Sequence, residues 1–494
     1  MIDLIKKFFF FFLILFIISC KRDPIFQTNE NSQNWNINWI KVQQQDFVDE
    51  EGRFIQLRGI NQRIDGLFDA SFNNGRTANE FVPPFTKSDV DSIAKLGFNV
   101  IRIPLNWSAY EPKRDSINAN YFLRIHEVVQ WCKEANIYVQ VDWHADAFSK
   151  EIGEDGAPDW THNYLLPNPR WQGPLNFITL AIRRANPWVF ESYRNLIRNR
   201  DNIRVDFMQI WSDLIREFKD EPTVIGFEPL NEPTTYFGGI SDAEFIGFYK
   251  ECSQKMRAID TKHLLWLEPD GARNVFDQSP LLTQVFDDKV VYCPHYYPNL
   301  LQGAAYTNVP DWIRNTNKSF DRIVTEGKSW KAPVCINEWG INPTTVSGKT
   351  LITAYQQQME DRHLHSIFWL WREPKPGTSG ADGTWGFFED LGNGQTWALR
   401  EDAVKNAVIP YCMSLPSQYI SHRYNDSTKI LKCIFNNISG TSKPIVFIPT
   451  HTYANGFEIY INGDITSYSV DAYNRYLVNW KARKGEIVLE IKPK

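Results

Sequence analysis

A chain of 494 residues, 43% hydrophobic and 14% aromatic, is long enough for one large domain and a smaller one. Its 53 Lys and Arg against 58 Asp and Glu leave a net charge of −5, so no basic excess argues for a nucleic-acid partner. The seven cysteines show neither CxxC nor metal-ligand spacing, which gives no reason to expect a structural metal, and nothing in the chain calls for an organic cofactor.

The first twenty residues read as a targeting segment. Lys6 and Lys7 precede an unbroken apolar run from Phe8 to Ile18, too short to span a bilayer and suited to the hydrophobic region of a signal peptide. Ile17-Ile18-Ser19-Cys20 resembles a bacterial lipobox, in which the cysteine is lipidated after cleavage. The expected order is a signal peptide with lipobox at 1–20 and a polar tether at 21–38. The protein is then exported and anchored to a bacterial membrane through Cys20, in the periplasm or at the cell surface, or else secreted. Of the other cysteines, Cys293 and Cys335 fall inside apolar strands and are expected as buried thiols.

Phe47-Val48 and Phe54 to Leu57 flank Asp49-Glu50-Glu51-Gly52, a hairpin expected to cap the base of the next domain. Strands are then predicted at Ile55–Ile60, Val100–Pro104, Ile137–Asp142, Val224–Leu230, Leu264–Glu268, Val290–Pro294, Val334–Asn337 and Ser366–Trp371. Helical patterns lie between them, among them Ser88–Leu96, whose Ser88 and Asp91 suggest a capped start, and Tyr121–Glu134. Eight strands alternating with helices predict an α/β fold, a (β/α)8 TIM barrel at 39–412. A long insertion after strand three carries Trp160, Trp171, Phe177, Trp188, Phe190 and Tyr193 with Arg183-Arg184, and is expected to shape a site. From about 413 to 494, alternating segments such as Ile430–Phe435 and Ile487–Ile491, with a turn at Asn462-Gly463-Asp464, predict a small C-terminal antiparallel β-sandwich.

Two of the barrel strands end in carboxylates: Glu232 in Phe227-Glu-Pro-Leu-Asn-Glu-Pro233 and Glu338 in Asn337-Glu-Trp-Gly340. They close strands four and seven, on opposite sides of an eight-stranded ring, and can face each other across its mouth. Facing carboxylates are what glycosidic cleavage needs: one protonates the leaving oxygen and the other attacks the anomeric carbon. Other strand ends add suitable groups. Arg102 is placed to hold Glu338 ionised and below its ordinary pKa, as Glu232 is expected to titrate above its own. Asn231 can hydrogen-bond a sugar 2-hydroxyl, Tyr297 can steady the nucleophile, and Trp369 offers a flat face to a sugar ring. His144, Asp146 and His295 complete the candidate substrate-binding set.

These motifs, with Asn99-Val-Ile-Arg102 and His295-x-Tyr297, resemble glycoside hydrolase family 5 from about residue 55 to 375. The resemblance implies a retaining mechanism with Glu232 as acid/base and Glu338 as nucleophile. Asp142-Trp-His-Ala-Asp-Ala-Phe-Ser149, Gly153 to Pro158 and the C-terminal sandwich look like endoglycoceramidase-like members, and Arg58 to Asp69 with Gly75-Arg-Thr77 resembles the endo-galactosylceramidase branch. The implied substrate is a glycolipid or oligosaccharide, cleaved at the β-glycosidic bond between sugar and ceramide. Ala145 stands where that pattern usually has Gln, and Arg63 lies near a usual lysine, departures that bear on sugar specificity. The insertion's aromatics are expected either to line a ceramide groove, with Arg183 and Arg184 toward lipid headgroups, or to form the insertion's own core. The alternatives are a β-glucosidase or endo-β-glucanase acting on soluble glycans, and a non-catalytic glycan-binding surface lipoprotein.

Overall fold

A computed structural model describes residues 36–68, 82–153, 155–162, 184–235, 238–277, 281, 284–297, 308–374, 384–392 and 394–494. The Cys20 lipobox, Trp171, Phe177 and Arg183 lie outside them.

An antiparallel meander of β1 (Ile40–Gln43), β2 (Asp46–Asp49) and β3 (Phe54–Ile55) opens the described chain, with Phe47 opposite Ile55 as the hairpin pattern requires. The barrel follows: β4 (Arg58–Asn61), β5 (Val100–Leu105), β6 (Tyr138–Trp143), β7 (Val224–Glu228), β8 (Leu264–Leu267), β9 (Val290–Tyr292), β10 (His295–Tyr296), β11 (Cys335–Trp339) and β12 (His365–Phe368). All pairings are parallel, and β12 returns to β4 with Ile367 opposite Gly59. Strand six is interrupted at Cys293-Pro294, because a proline cannot donate to the ladder. Its first half, β9, pairs with β8 and its second half, β10, with β11, while a bridge from Tyr292 to Val334 completes the ring.

Every residue of β5, β6, β7 and β11 is buried. A parallel strand covered by helices outside and by the barrel core inside has no solvent face, so these segments read as apolar runs rather than alternations. The charged residues embedded in them, Arg102, Asp142, Glu228 and Glu338, are therefore the exceptions that mark a site. The helix Lys87–Lys95 is capped by Thr86 with Asp89, two residues before the Ser88 and Asp91 pair that the sequence suggests. Phe85 and Val90, the staple positions on either side of Thr86, are both buried in the core, which sets the entry point of that helix.

A two-stranded ribbon, β13 (Phe388–Asp390) and β14 (Trp397–Leu399), precedes the C-terminal sheets. One sheet continues the opening meander in the order β1-β2-β3-β15 (Tyr411–Leu415), then β18 (Ile445–Phe447), β22 (Arg475–Val478) and β21 (Tyr468–Val470). The other runs β16 (Tyr419–Asn425), β17 (Ile430–Asn437), β23 (Gly485–Pro493), β19 (Phe457–Ile461) and β20 (Asp464–Thr466). Leu431, Cys433 and Ile487 share one buried cluster with Cys412, Val446 and Val478 of the facing sheet. The turn at Asn462-Gly463 has positive φ at both residues, 51° and 89°, the geometry of a two-residue hairpin. The N-terminal hairpin is thus part of the seven-stranded sheet, joined to it where Ile55 pairs with Ser414.

Buried contacts fasten this sheet to the barrel's base. Gly97, at φ +79°, leaves room for the Phe447 ring, which a Cβ there would meet at 2.4 Å, and its carbonyl accepts the Tyr411 hydroxyl at 2.7 Å. Arg475 donates to the carbonyls of Ala135 and Asn136, both at 3.0 Å. Glu360, at the end of the helix Val346–Glu360, pairs with Arg58 of β4 and lies 3.2 Å from His422 of β16. Burial opposes its charge, yet His422 and Arg58 hold Glu360 below the ordinary carboxylate range. Removing one partner leaves a buried guanidinium uncompensated. Glu360→Ala is expected to destabilise the protein by about 3–5 kcal/mol in thermal or chemical unfolding. Because Glu360 lies at the end of the barrel away from the strand C-termini, turnover per folded molecule stays unchanged at low temperature.

Candidate active site

The C-terminal ends of the barrel strands converge on Arg102. Its side chain is fully buried in β5, and it donates to Glu228 at 3.1 Å, Asn61 at 3.2 Å, Asn231 at 3.0 Å and Glu338 at 2.5 Å. Asp142 lies 3.2 Å away. One guanidinium with five donors is shared among three carboxylates, a geometry that lysine cannot reproduce.

That sharing changes the electrostatics expected of Glu338. Burial pushes its carboxyl above the ordinary value; Arg102 and His144 oppose the shift, and Asp146 and Asp142 add to it. The sequence-based expectation that Arg102 would hold Glu338 low fails because burial, with Asp146 and Asp142, outweighs the pull of Arg102. Burial likewise raises Glu228 to about 7 against the pull of Arg102, and raises Glu268 well above the usual range with help from Glu228. Neither residue belongs to the sequence-derived site. Their signal was present, however: Glu228-Pro229 and Glu268-Pro269 each end an apolar strand with a carboxylate.

Glu232 follows β7 in the left-handed region, at φ 39°, and is buried. Its backbone N–H donates to Glu268 at 2.6 Å, which holds the turn. Its carboxylate faces His295 Nδ1 at 2.9 Å and the Asn274 amide at 3.3 Å, and it pairs with Arg184. His295 Nδ1 is also 3.3 Å from Glu338, so this one ring nitrogen lies between the two carboxylates. Burial, then Arg102, His144 and Arg184, push His295 well below its usual pKa, which favours the neutral ring, and we assign the hydrogen to Nδ1 because that nitrogen faces the carboxylates. One oxygen each of Glu232 and Glu338 and this nitrogen all lie within 4.8 Å of one another.

The remaining predicted residues are present in the same place. The Tyr297 hydroxyl donates to Glu338 at 3.0 Å, and its ring stacks on Trp385 at 5.8 Å, a tryptophan that sequence reasoning missed. Asn231 spends its oxygen on Arg102; its amide nitrogen is buried without a partner among the described residues. His144 bonds Asp142 at 2.9 Å, with Asp146 3.9 Å from its other nitrogen. Burial opposes its charge, but Asp142 and Asp146 raise its pKa above the ordinary value. Trp369 lies parallel to His144 at 5.9 Å, and the Arg63 guanidinium sits 5.6 Å from the Trp369 ring. His144, Asp146 and Asp155 also bring ligand-capable atoms within 4.8 Å of one another, but Arg184 already occupies Asp146.

Of the insertion's described aromatics, Trp160 and Trp188 pack against the barrel core and Tyr193 is fully buried, while Phe190 is half-buried. Arg184 does not face outward toward headgroups. It reaches inward and bridges Asp146 and Glu232.

Residues 48–374 match the family described as cellulase (glycosyl hydrolase family 5). An endoglycoceramidase of Cyanea nozakii is 22% identical over 82% of this chain and 82% of that protein. An endoglycoceramidase of Hydra vulgaris is 28% identical over 43% of this chain, which spans about half of that protein's length, 47%. A crystal structure of an endogalactoceramidase superposes with a TM-score of 0.72 at 20% identity, covering 92% of this chain and 100% of that one. The family match runs from the opening hairpin through all eight barrel strands and includes both mouth carboxylates, so the chain belongs to glycosyl hydrolase family 5 and is a glycoside hydrolase.

Proposed function

We propose that the protein cleaves the β-glycosidic bond between a sugar or oligosaccharide and ceramide by double displacement. Glu338 is the nucleophile and Glu232 the acid/base. The retaining outcome is supported by the closeness of the two carboxylates, which share His295 Nδ1 at 2.9 and 3.3 Å and have oxygens within 4.8 Å of each other. A retaining pair sits about 5–5.5 Å apart, whereas an inverting pair needs about 6.5–9.5 Å to admit a water.

Glu232 protonates the leaving oxygen while Glu338 attacks the anomeric carbon, giving a glycosyl-enzyme and free aglycone. Glu232 then removes a proton from water, whose oxygen replaces Glu338 on that carbon. The Tyr297 hydroxyl and Arg102 orient the attacking carboxylate. Neutral His295 donates to the carboxylates without adding charge between them. The unpartnered Asn231 amide is a donor suited to the sugar 2-hydroxyl. The endoglycoceramidase-like motifs and the relatives of that name support ceramide as the aglycone.

Hydrolysis of glucosyl- and galactosylceramide, gangliosides and cello-oligosaccharides, with product analysis, tests the substrate. Intact ceramide is the expected product, and turnover of cello-oligosaccharides alone refutes the glycolipid reading. Glu338→Gln is expected to abolish turnover, by about 10⁴-fold or more, in a protein that stays folded.

The raised pKa of Glu338 has a kinetic consequence. A nucleophile works ionised, so kcat/KM falls as pH drops through that pKa. The acid limb of kcat/KM should lie above pH 4.5, the ordinary value for this side chain; an acid limb at or below it contradicts the assignment.

The N-terminal motif supports anchoring through a lipidated Cys20. In a bacterial host, Cys20→Ala should move the protein from the membrane fraction to the soluble fraction. An unchanged distribution excludes the anchor.

A further inference from the structure

We propose that Arg184 is a positioning residue that sets the ionisation of Glu232 in the two halves of the reaction. It holds Glu232 as a carboxylate when no aglycone is bound and gives it up when one is. The proposal rests on the retaining reading above.

The two mouth carboxylates are served by different arginines. Glu338 is paired with Arg102, on a barrel strand, with no solvent exposure of the side chain. Glu232 is paired with Arg184, on the insertion just before the helix Pro187–Ile197, with a side chain 23% exposed. Among the described residues, Arg184 is the one arginine or lysine in contact with Glu232. The other groups facing this carboxyl are neutral His295 and the Asn274 amide, with Glu338 across the mouth and Glu268 bonded to its backbone.

The division matches what the chemistry asks of each residue. Glu338 begins each displacement cycle ionised, and a fixed cation serves it. Glu232 must be an acid in the first displacement and a base in the second. A guanidinium has only donors, so the Glu232 oxygen it bonds cannot at the same time carry the proton for a leaving group. The leaving oxygen must reach that carboxyl, and an entering aglycone therefore displaces Arg184. Asp146 holds the same guanidinium and keeps it at hand. Once the aglycone has left, Arg184 returns and Glu232 is a carboxylate. It then accepts a proton from water. The water oxygen bonds the anomeric carbon, the bond from that carbon to Glu338 breaks, and its electron pair returns to Glu338. The proton taken from water passes to solvent as Arg184 pairs again with Glu232, and Glu232 takes one back from solvent when the next aglycone displaces Arg184.

The test uses dinitrophenyl β-glucoside, β-galactoside and β-lactoside, whose leaving group needs no protonation, so the second displacement limits turnover. In Arg184→Met, kcat should fall about tenfold or more, while kcat/KM stays within about twofold because KM falls with kcat. Intact-mass spectrometry at steady state should show the variant carrying one added glycosyl unit. Arg184→Lys should recover most of the lost kcat. Unchanged kcat in Arg184→Met overturns the proposal. So does an equal fall in kcat and kcat/KM without accumulated glycosyl-enzyme, the pattern of a merely structural role. If the unaltered protein hydrolyses none of the three glycosides, the retaining reading falls and the proposal falls with it.

Discussion

The structure of the mouth depends on one buried guanidinium. Arg102 has no solvent exposure, and isolating its charge in a barrel core would cost far more than a domain's net stability. Glu228, Asp142 and Glu338 converge on it because each carries the opposite charge and because five fixed donors can bond them together. The reverse holds as well. More carboxylates surround Arg102 than it can neutralise, so burial leaves Glu228, Glu268 and Glu338 all above their ordinary range. The site holds excess negative charge in a dry volume, and a protonated carboxyl there is stable near neutrality. This is the condition an acid/base catalyst needs.

Around this centre the fold draws on strand and non-strand positions. Glu338, Arg102 and His295 stand on strands whose residues are buried on both faces. Their positions are set by the ladder hydrogen bonds and by close packing, which leave little room for adjustment. Glu232 stands just past its strand, in a left-handed turn held by Glu268, and its cation comes from an inserted segment.

The C-terminal sheets act at the other end of the barrel. They bind its base through Gly97, Tyr411, Arg475 and the Arg58–Glu360–His422 cluster, and take up the N-terminal hairpin as three of their strands. Chain entry and chain exit are thereby tied into one sheet. The strand C-termini remain free to build the site.

Much of this was legible in the sequence. Eight apolar segments alternating with amphipathic ones predict the barrel, since a buried parallel strand shows as an apolar run. Glu232 and Glu338 stand out as carboxylates that end such runs, and Arg102 as a charge inside one. Local pattern suffices here because each signal is carried by residues adjacent in the chain. Three things were settled only by tertiary structure. Arg184 was read as facing lipid headgroups, but it bonds Asp146 and Glu232, which are 38 and 48 positions away along the chain. Glu338 was expected below its ordinary pKa, and is pushed above it, because burial and the nearby Asp146 and Asp142 outweigh Arg102. The opening hairpin joined a sheet whose other strands begin at residue 411, a pairing with no local mark. Periodicity and strand-end chemistry are properties of neighbouring residues and are written in the chain; ion-pair sharing and sheet completion depend on distances in space, and only the folded molecule sets those.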